Sequence, residues 1–294
     1  MSNMQRTFIP GDYWLYLKIY TGFKTADLLL KEVIPMVTYR LLADQVITKW
    51  FFIHYSDPEL HLRLRFLLTN TSKTGVLILL LNQALQTFIQ NNLVWKVQLD
   101  TYQREIERYG EHTMELSESL FFNDSQYFTE ILCTLQGNEA ETDRWRLALV
   151  SVNALLNDFT LDLQQKMEFI TMVKDNFARE FGLENSRSQL SDKYRIHRKA
   201  VEALLEEKEE KYQIIYNILD TRSKAQKPIA NQIIQHTEKG KKLNALLSNY
   251  THMMMNRWFR SKQRMHEAVV YDFLLKYYKS KIAREKSLAH NASK

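Results

Sequence analysis

The sequence predicts an α+β fold in which a small sheet precedes a larger helical part. Glycine and proline are scarce, with 7 and 4 residues among 294, so regular secondary structure must dominate. Short aromatic and β-branched segments alternate with helical patterns in the first third of the chain. From about Glu115 onward the periodicity is helical and stays so. We therefore expect two parts, 1–115 and 116–294, packed together as one functional module.

The first part reads as strand, helix, hairpin, helix and strand. The opening strand is aromatic and β-branched, and the following helix has a kink or restart at Pro35. Turn chemistry at Ser56-Asp57-Pro58 joins two strands into a hairpin. The predicted strands are Trp14–Tyr20, Trp50–Tyr55, His61–Leu68 and Val94–Thr101, and the predicted helices are Ala26–Ala43 and Gly75–Ile89.

This β-α-β-β-α-β order predicts a split-βαβ, ferredoxin-like sheet with two helices on one face. The other face must then be covered or functional. Six helices are predicted in the second part, where the charge run Glu206–Lys211 reads as a solvated helix face. They are Ser125–Gln136, Glu141–Phe159, Asp162–Phe181, Ser191–Leu219, Pro228–Trp258 and Lys262–Arg284.

Several classes of protein are excluded by what the sequence lacks. The longest aliphatic run, Val76–Leu81, is far short of the about 18 to 20 residues of a spanning helix, so we expect a cytoplasmic protein without a membrane span. The single cysteine, Cys133, forbids an internal disulfide and a multi-cysteine metal cluster. No glycine-rich phosphate loop, GxSxG or HExxH motif is present. We expect neither a cofactor nor a metal site, since His54 and His61 lack nearby carboxylate ligands.

The net charge of +6 is unevenly distributed. Thr251–Lys294 holds ten basic and three acidic residues, a net charge of +7, whereas the rest of the chain is nearly neutral. Such a tail suits an anionic partner, nucleic acid included. Alternatively it is the solvated face of a terminal helix, because cations stabilise helix C-termini.

The segment HLRLRF, His61–Phe66, carries the clearest chemical signal. Strand alternation places His61, Arg63 and Arg65 on one face and the apolar residues on the other. Two guanidinium groups on one face repel each other unless anions meet them, and their planar forks suit carboxylate or phosphate. The alternative is that Arg63 and Arg65 form structural ion pairs with Asp or Glu of the helical part.

Four blocks carry a resemblance to a known family, in the family's order. They are WFFIHYSDPELHLRLRF, YQREIERYG, LFFNDS and HMMMNRWF. Together they closely resemble the C-terminal elimination domain of class I lanthipeptide dehydratases, which also occurs in thiopeptide-type bacteriocin biosynthesis proteins. The similarity runs from the first strand to the terminal helix at VYDFLLKYY. It departs from the family at His54, where arginine is common, and at Glu111, which replaces a second glycine after ERYG.

The resemblance implies a lyase reaction. A Ser or Thr of a precursor peptide, already esterified by glutamate from glutamyl-tRNA, loses glutamate to become dehydroalanine or dehydrobutyrine. By motif, Arg63, Arg65, Arg108 and His252 fall on the positions associated with elimination, and an imidazole is a credible acid or base at neutral pH. We expect His54, His61 and Arg257 to contact substrate.

The resemblance also sets the expected partners and the alternatives. The longer glutamylation domain of full-length dehydratases is missing, so we expect the elimination subunit of a split dehydratase, with a separate glutamylation subunit as partner. A homodimer is left open. One alternative is a related branch that performs a formal [4+2] cycloaddition, forming the pyridine or piperidine core of a thiopeptide. Another is a noncatalytic scaffold or nucleic-acid-binding subunit that uses the basic tail.

Overall fold

The computed structural model describes residues 4–135, 139–181 and 187–292. The chain divides into two compact units: unit 1 is Met1–Gly137 with Gln235–Thr237, and unit 2 is Asn138–Ile234 with Glu238–Lys294. The first unit therefore extends beyond the predicted 1–115 part. Gln136, the predicted end of one helix, lies outside the described residues.

The described residues of unit 1 form six strands and five α-helices. In chain order these are β1 (Thr7–Phe8), β2 (Trp14–Thr21), α1 (Phe23–Leu28), α2 (Ile34–Ala43), β3 (Ile47–Tyr55), β4 (His61–Leu68), α3 (Thr74–Gln90), β5 (Val94–Asp100), β6 (Tyr102–Gln103), α4 (Ile106–Tyr109) and α5 (Met114–Thr134). Each of the four predicted strands lies within one to three residues of its observed bounds.

The main sheet has the strand order β3-β4-β2-β5, and each neighbouring pair is antiparallel. The short strands β1 and β6 form a separate antiparallel pair. On one face, Leu15, Ile19, Leu62 and Leu64 of β2 and β4 are completely buried. Helix α2 packs against β3 and α3 against β5. The apolar half of the strand alternation thus forms the core of unit 1.

The predicted restart of the first helix is observed next to Pro35. A π-helical turn over Leu29–Val33 separates α1 from α2, and Pro35 lies in the first turn of α2. The helical path is continuous here, since Ile34 N–H donates to Leu29 O, and the π-helical turn accommodates the hydrogen bond that proline cannot donate.

Helix α5 begins eleven residues before the predicted start at Ser125, because its N-terminal half packs on the sheet. The Phe121 ring lies 5.4 Å from the Phe51 ring, and the Phe128 ring lies 5.5 Å from the Phe52 ring. Asp124 precedes the predicted start and is of a residue type that favours helix caps, but it is buried in the interior of α5. Tertiary packing of the aromatic side chains has outweighed the local capping signal.

Unit 2 is helical throughout its described residues. Its helices are α6 (Glu139–Asp158), α7 (Leu163–Phe181), α8 (Arg187–Leu205), α9 (Gln213–His236), α10 (Lys241–Trp258) and α11 (Gln263–Ala292). The C-terminal helix α11 packs against α6, α7 and α8, and α10 packs against α6. A buried ion pair between Arg222 Nη1 and Asp158 Oδ2, 2.8 Å long, joins α9 to α6.

Two predicted helices of unit 2 are divided in the structure. The predicted helix Pro228–Trp258 is broken at 237–240, between α9 and α10, and the predicted helix Lys262–Arg284 continues to Ala292. The predicted helix Ser191–Leu219 is interrupted after Leu205, where Glu207 has a positive φ of 58° and Lys208 N–H donates to Ala203 O, as in a Schellman C-cap. Pro228 lies inside α9 rather than at its start. A buried stripe continues on both sides of it, and its packing offsets the lost backbone hydrogen bond.

Within the described ranges, no helix combines the length and the apolar character that crossing a membrane requires.

Candidate functional site

An arginine face, defined here by Tyr16, Lys18, Phe51, Arg63 and Arg65, covers one side of the main sheet. The register explains its composition, since Arg65 lies opposite both Tyr16 and Phe51, and Arg63 lies opposite Lys18. These residues alternate with the buried apolar residues of the other face. The predicted shared orientation of Arg63 and Arg65 is therefore observed.

Arg65 is held among aromatic rings. Its Cζ lies 4.6 Å from the centre of the Tyr16 ring, 5.2 Å from that of Phe51 and 5.0 Å from that of Tyr102. Its Nε is fully buried and has no hydrogen-bond partner among the described residues. Burial lowers the pKa of the Arg65 guanidinium, which nevertheless stays charged at neutral pH.

Arg63 is fixed by a tyrosine and a histidine. Its Cζ lies 3.3 Å from the centre of the Tyr55 ring, and its Nε donates a hydrogen bond of 3.1 Å to His61 Nε2. His61 Nδ1 in turn lies 2.7 Å from the carbonyl oxygen of Glu59. Because a carbonyl only accepts, Nδ1 carries the proton and Nε2 is left as the acceptor. Burial lowers the pKa of His61, which favours this neutral form.

Neither Arg63 nor Arg65 forms an ion pair with any described residue. The nearby acidic residue of the sheet, Asp100, is engaged by Lys18, whose Nζ lies 2.5 Å from Asp100 Oδ2. The hydrogen bond to Asp100 raises the pKa of Lys18. The alternative of structural ion pairs for the two arginines is not supported here, and their arrangement suits an incoming anion.

A buried ion pair supports the aromatic wall around Arg65. Tyr102 donates to Glu118 Oε1 over 2.9 Å, and Arg104 donates to both Glu118 oxygens over 2.8 and 2.7 Å. Glu118 lies on α5, whereas Tyr102 forms part of β6. The Tyr102 ring is therefore held in place by α5, and burial raises its pKa well above the usual value.

Arg108 lies on α4, which follows closely after Tyr102 in the chain. Its side chain is 45% exposed and its Nη1 lies 2.8 Å from Glu105 Oε2. Gly110 ends this helix with φ of 77°, and a Cβ there would lie 2.8 Å from Thr113 Oγ1. The glycine of the ERYG block is thus required by both backbone conformation and space.

Two of the predicted substrate contacts, His54 and Arg257, are buried. His54 points to the apolar face of the sheet, is 5% exposed, and has its ring 5.6 Å from the Phe52 ring. The strand alternation that brings His61 beside Arg63 places His54 on the opposite side. Arg257 on α10 is 1% exposed and donates to Met253 O. We therefore do not retain His54 or Arg257 as substrate contacts.

His252 lies on α10 of unit 2 with a carboxylate beside it. Its Nδ1 is 3.3 Å from both oxygens of Glu267 and 3.1 Å from Arg264 Nη1. Its side chain is 28% exposed, whereas that of Glu267 is 3% exposed. Of the predicted catalytic residues, Arg63, Arg65 and Arg108 belong to unit 1 and His252 to unit 2.

The groups that surround these four residues were not predictable from the sequence. Tyr16 reaches Arg65 through the pairing of β2 with β4, and Tyr102 reaches it from β6 through a tertiary contact. Glu267 lies one helix beyond His252, so no spacing rule identifies any of the three. The alternation of Tyr16 and Lys18 in WLYLKIY was the one available signal, since it placed both on one face of a strand.

Basic residues of the tail are paired within unit 2. Lys276 Nζ lies 2.6 Å from Asp272 Oδ2, and Arg284 lies 3.5 Å from both Glu202 and Glu206. Lys279 and Lys286 are exposed. This distribution favours a solvated terminal helix over a nucleic-acid surface.

The chain is similar to curated and solved proteins of antibiotic biosynthesis. It is 29% identical over 187 residues to the subtilin biosynthesis protein SpaB of Bacillus subtilis and 26% identical to the nisin biosynthesis protein NisB of Lactococcus lactis subsp. lactis. Each match covers 61% of this chain and 18% of the relative, so the chain spans under a fifth of their length.

Two solved structures share the fold. The tRNA-dependent lantibiotic dehydratase MibB from Microbispora sp. 107891 aligns with a TM-score of 0.71 and 19% identity, over 94% of this chain and 29% of that one. The pyridine synthase TbtD from thiomuracin biosynthesis aligns with a TM-score of 0.63 and 13% identity, over 91% and 99%.

The family model described as "Lantibiotic biosynthesis dehydratase C-term" matches residues 14–278. These bounds agree with the extent of the resemblance read from the four sequence blocks. With most of its length matched, the chain belongs to the lantibiotic dehydratase C-terminal family.

Proposed function

We propose that this chain eliminates glutamate from glutamylated Ser or Thr residues of a precursor peptide, leaving dehydroalanine or dehydrobutyrine. The observation that carries the proposal is the arginine face, where two guanidinium groups lie on one sheet face without an ion pair among the described residues. Such a face suits the carboxylates of a glutamyl group, because each charge-assisted hydrogen bond contributes about 1.5 to 3 kcal/mol.

The reaction assigns a distinct task to each group. A base removes the α-proton, the C–H electron pair forms the Cα=Cβ bond, and the Cβ–O ester bond breaks so that glutamate leaves as a carboxylate. Arg63, Arg65 and Arg108 stabilise the negative charge on the departing group. His252 holds or moves the proton, since imidazole is suited to this task at neutral pH.

Two further parts of the proposal concern the fold and the partner. The antiparallel order β3-β4-β2-β5, with helices after β2 and β4, supports the ferredoxin-like interpretation of unit 1. We further propose that a separate glutamylation subunit, which uses glutamyl-tRNA, prepares the substrate of this reaction. Both units would act as one elimination module.

A chemically glutamylated cognate peptide tests the activity directly. Incubation with the chain alone, without tRNA or ATP, should remove the mass of a whole glutamic acid, which is the glutamyl group plus one water, and leave a new alkene that thiols trap. The unmodified Ser/Thr peptide is the control and should stay unchanged. Retention of the glutamyl group at all enzyme concentrations would contradict the proposal.

A second candidate is the formal [4+2] cycloaddition between two dehydroalanines. This candidate is supported by the structural similarity to the pyridine synthase TbtD, since the alignment covers 99% of the TbtD chain. A peptide that already carries two dehydroalanines distinguishes the two functions. If the chain formed a ring from this peptide and did not react with the glutamylated peptide, its function would be cycloaddition and not elimination.

A further inference from the structure

Glu267 is a buried acidic residue with no task in the reaction described so far. It lies on α11, its side chain is 3% exposed, and Tyr271 OH donates to its Oε1 over 2.8 Å. Its two oxygens are each 3.3 Å from His252 Nδ1, and Arg264 Nη1 is 3.4 Å from its Oε2. Glu267 therefore contacts His252 on its buried side, where a peptide at the surface cannot reach the carboxylate.

Two groups compete for His252 Nδ1, and they require opposite protonation of that nitrogen. Arg264 Nη1, 3.1 Å away, can only donate and would need an unprotonated Nδ1. Glu267 can only accept and needs Nδ1–H. The Arg264 side chain is 44% exposed and can bond to water, whereas the carboxylate of Glu267 is buried. Leaving a buried carboxylate short of donors costs more than returning an exposed guanidinium to solvent.

In the neutral ring of His252 the proton therefore lies on Nδ1, and Nε2 is the nitrogen that can accept a proton. With Nδ1–H directed at Glu267, Nε2 carries the lone pair. When Nε2 takes up a proton, the resulting imidazolium keeps its Nδ1–H bond to a carboxylate, which stabilises the new charge. Tyr271 on the same helix keeps the Glu267 carboxylate in this position.

We infer that Glu267 is the positioning residue of His252: it accepts the Nδ1 proton and so makes Nε2 the nitrogen that exchanges a proton with substrate. The inference rests on the proposed elimination for its chemical meaning, but the proton position on His252 can be measured without any substrate.

The test compares the wild type with Glu267→Gln, using the imidazole ¹⁵N chemical shifts of His252, assigned through His252→Asn. The groups that face this ring are Glu267 and Arg264, and Arg264 in turn lies 4.0 Å from Glu180 of α7. At a pH where the ring is neutral, the wild type should show protonated Nδ1 and unprotonated Nε2. Glu267→Gln should move the proton toward Nε2, and Tyr271→Phe should leave it on Nδ1.

A kinetic arm accompanies the spectra. Glu267→Gln should lower kcat for elimination by about 10²-fold with little change in KM, and Glu267→Asp should recover part of the loss. Circular dichroism and thermal unfolding check that each variant folds. An unchanged Nδ1 proton in folded Glu267→Gln would overturn the inference, whatever the activity. Absence of elimination in the wild type would instead overturn the proposed function, and a proton shift would still support the role of Glu267.

Discussion

At the scale of single residues, Arg65 is a buried cation that contacts three aromatic rings and has no counter-ion among the described residues. Its three aromatic neighbours each offer a cation–π contact worth about 0.5 to 2 kcal/mol. Burial of the guanidinium costs several kcal/mol unless a counter-ion accompanies it. The rings compensate for part of that cost, and a carboxylate from substrate would compensate for the rest.

Replacing Arg65 by lysine tests whether the planar guanidinium matters. Arg65→Lys keeps the charge but loses the bidentate fork and the stacking on the Tyr16 and Tyr102 rings. We expect kcat/KM for the glutamylated peptide to fall by about 10- to 100-fold, the equivalent of one charge-assisted hydrogen bond. Arg40→Lys, at an exposed residue of α2, is the matched control and should keep the wild-type rate.

His61 makes the stability of unit 1 depend on pH. Burial lowers its pKa below the usual 6.5, so folding favours the neutral ring. Its stabilising contribution is present above pH 6.5 and is lost as the pH falls below that value. In urea denaturation, the wild type should be more stable than His61→Gln at pH 7.5, and the difference should shrink at pH 5. A difference that grows on acidification would contradict the neutral form assigned to His61.

At the scale of elements, helix α5 holds the aromatic residues around Arg65 in the proposed site. Its aromatic side chains pack on β3, and Glu118 reaches Tyr102 and Arg104. The strands themselves were predictable because alternation of apolar and polar residues determines both their bounds and their faces. The early start of α5 was not, since Glu118 and Phe121 find their partners only after the chain has folded.

The ion pair between Arg104 and Glu118 should be a major stabilising contact of α5. Removing one partner of a buried pair leaves an uncompensated charge and costs about 3 to 5 kcal/mol. We expect Glu118→Gln to lower the unfolding free energy by about 3 kcal/mol, since Arg104 keeps a contact with Glu115. The double variant Arg104→Met/Glu118→Met should recover much of this loss. A change below about 1 kcal/mol for Glu118→Gln would show that the pair does not stabilise α5.

At the scale of the whole molecule, the residues proposed to act in elimination belong to two units of different architecture. Arg63, Arg65 and Arg108 come from the sheet unit, and His252 comes from the helical unit. These four residues were selected by motif, and their roles stay a proposal. The groups that tune them, Tyr16, Tyr102 and Glu267, were not predicted, because tertiary contacts rather than sequence spacing select them.

The excess positive charge of the C-terminal helix should be dispensable for elimination. Lys279 and Lys286 are exposed and far in sequence from the arginine face. We expect the double variant Lys279→Gln/Lys286→Gln to retain elimination activity within about 2-fold. The salt dependence of any tRNA binding should be the same as in the wild type. A nucleic-acid surface would instead lose about one unit of salt slope for each lysine that contacts a phosphate. A marked drop in tRNA affinity would therefore support the scaffold alternative.

The most direct test of the central claim is the rate at which free glutamate appears from one chemically glutamylated peptide. The wild type and Arg40→Gln should release one glutamate for each alkene formed, at similar rates. Arg63→Gln/Arg65→Gln, verified to be folded, should release glutamate at least about 100-fold more slowly. Wild-type rates in the folded double variant would contradict the assignment of the arginine face to the departing glutamate.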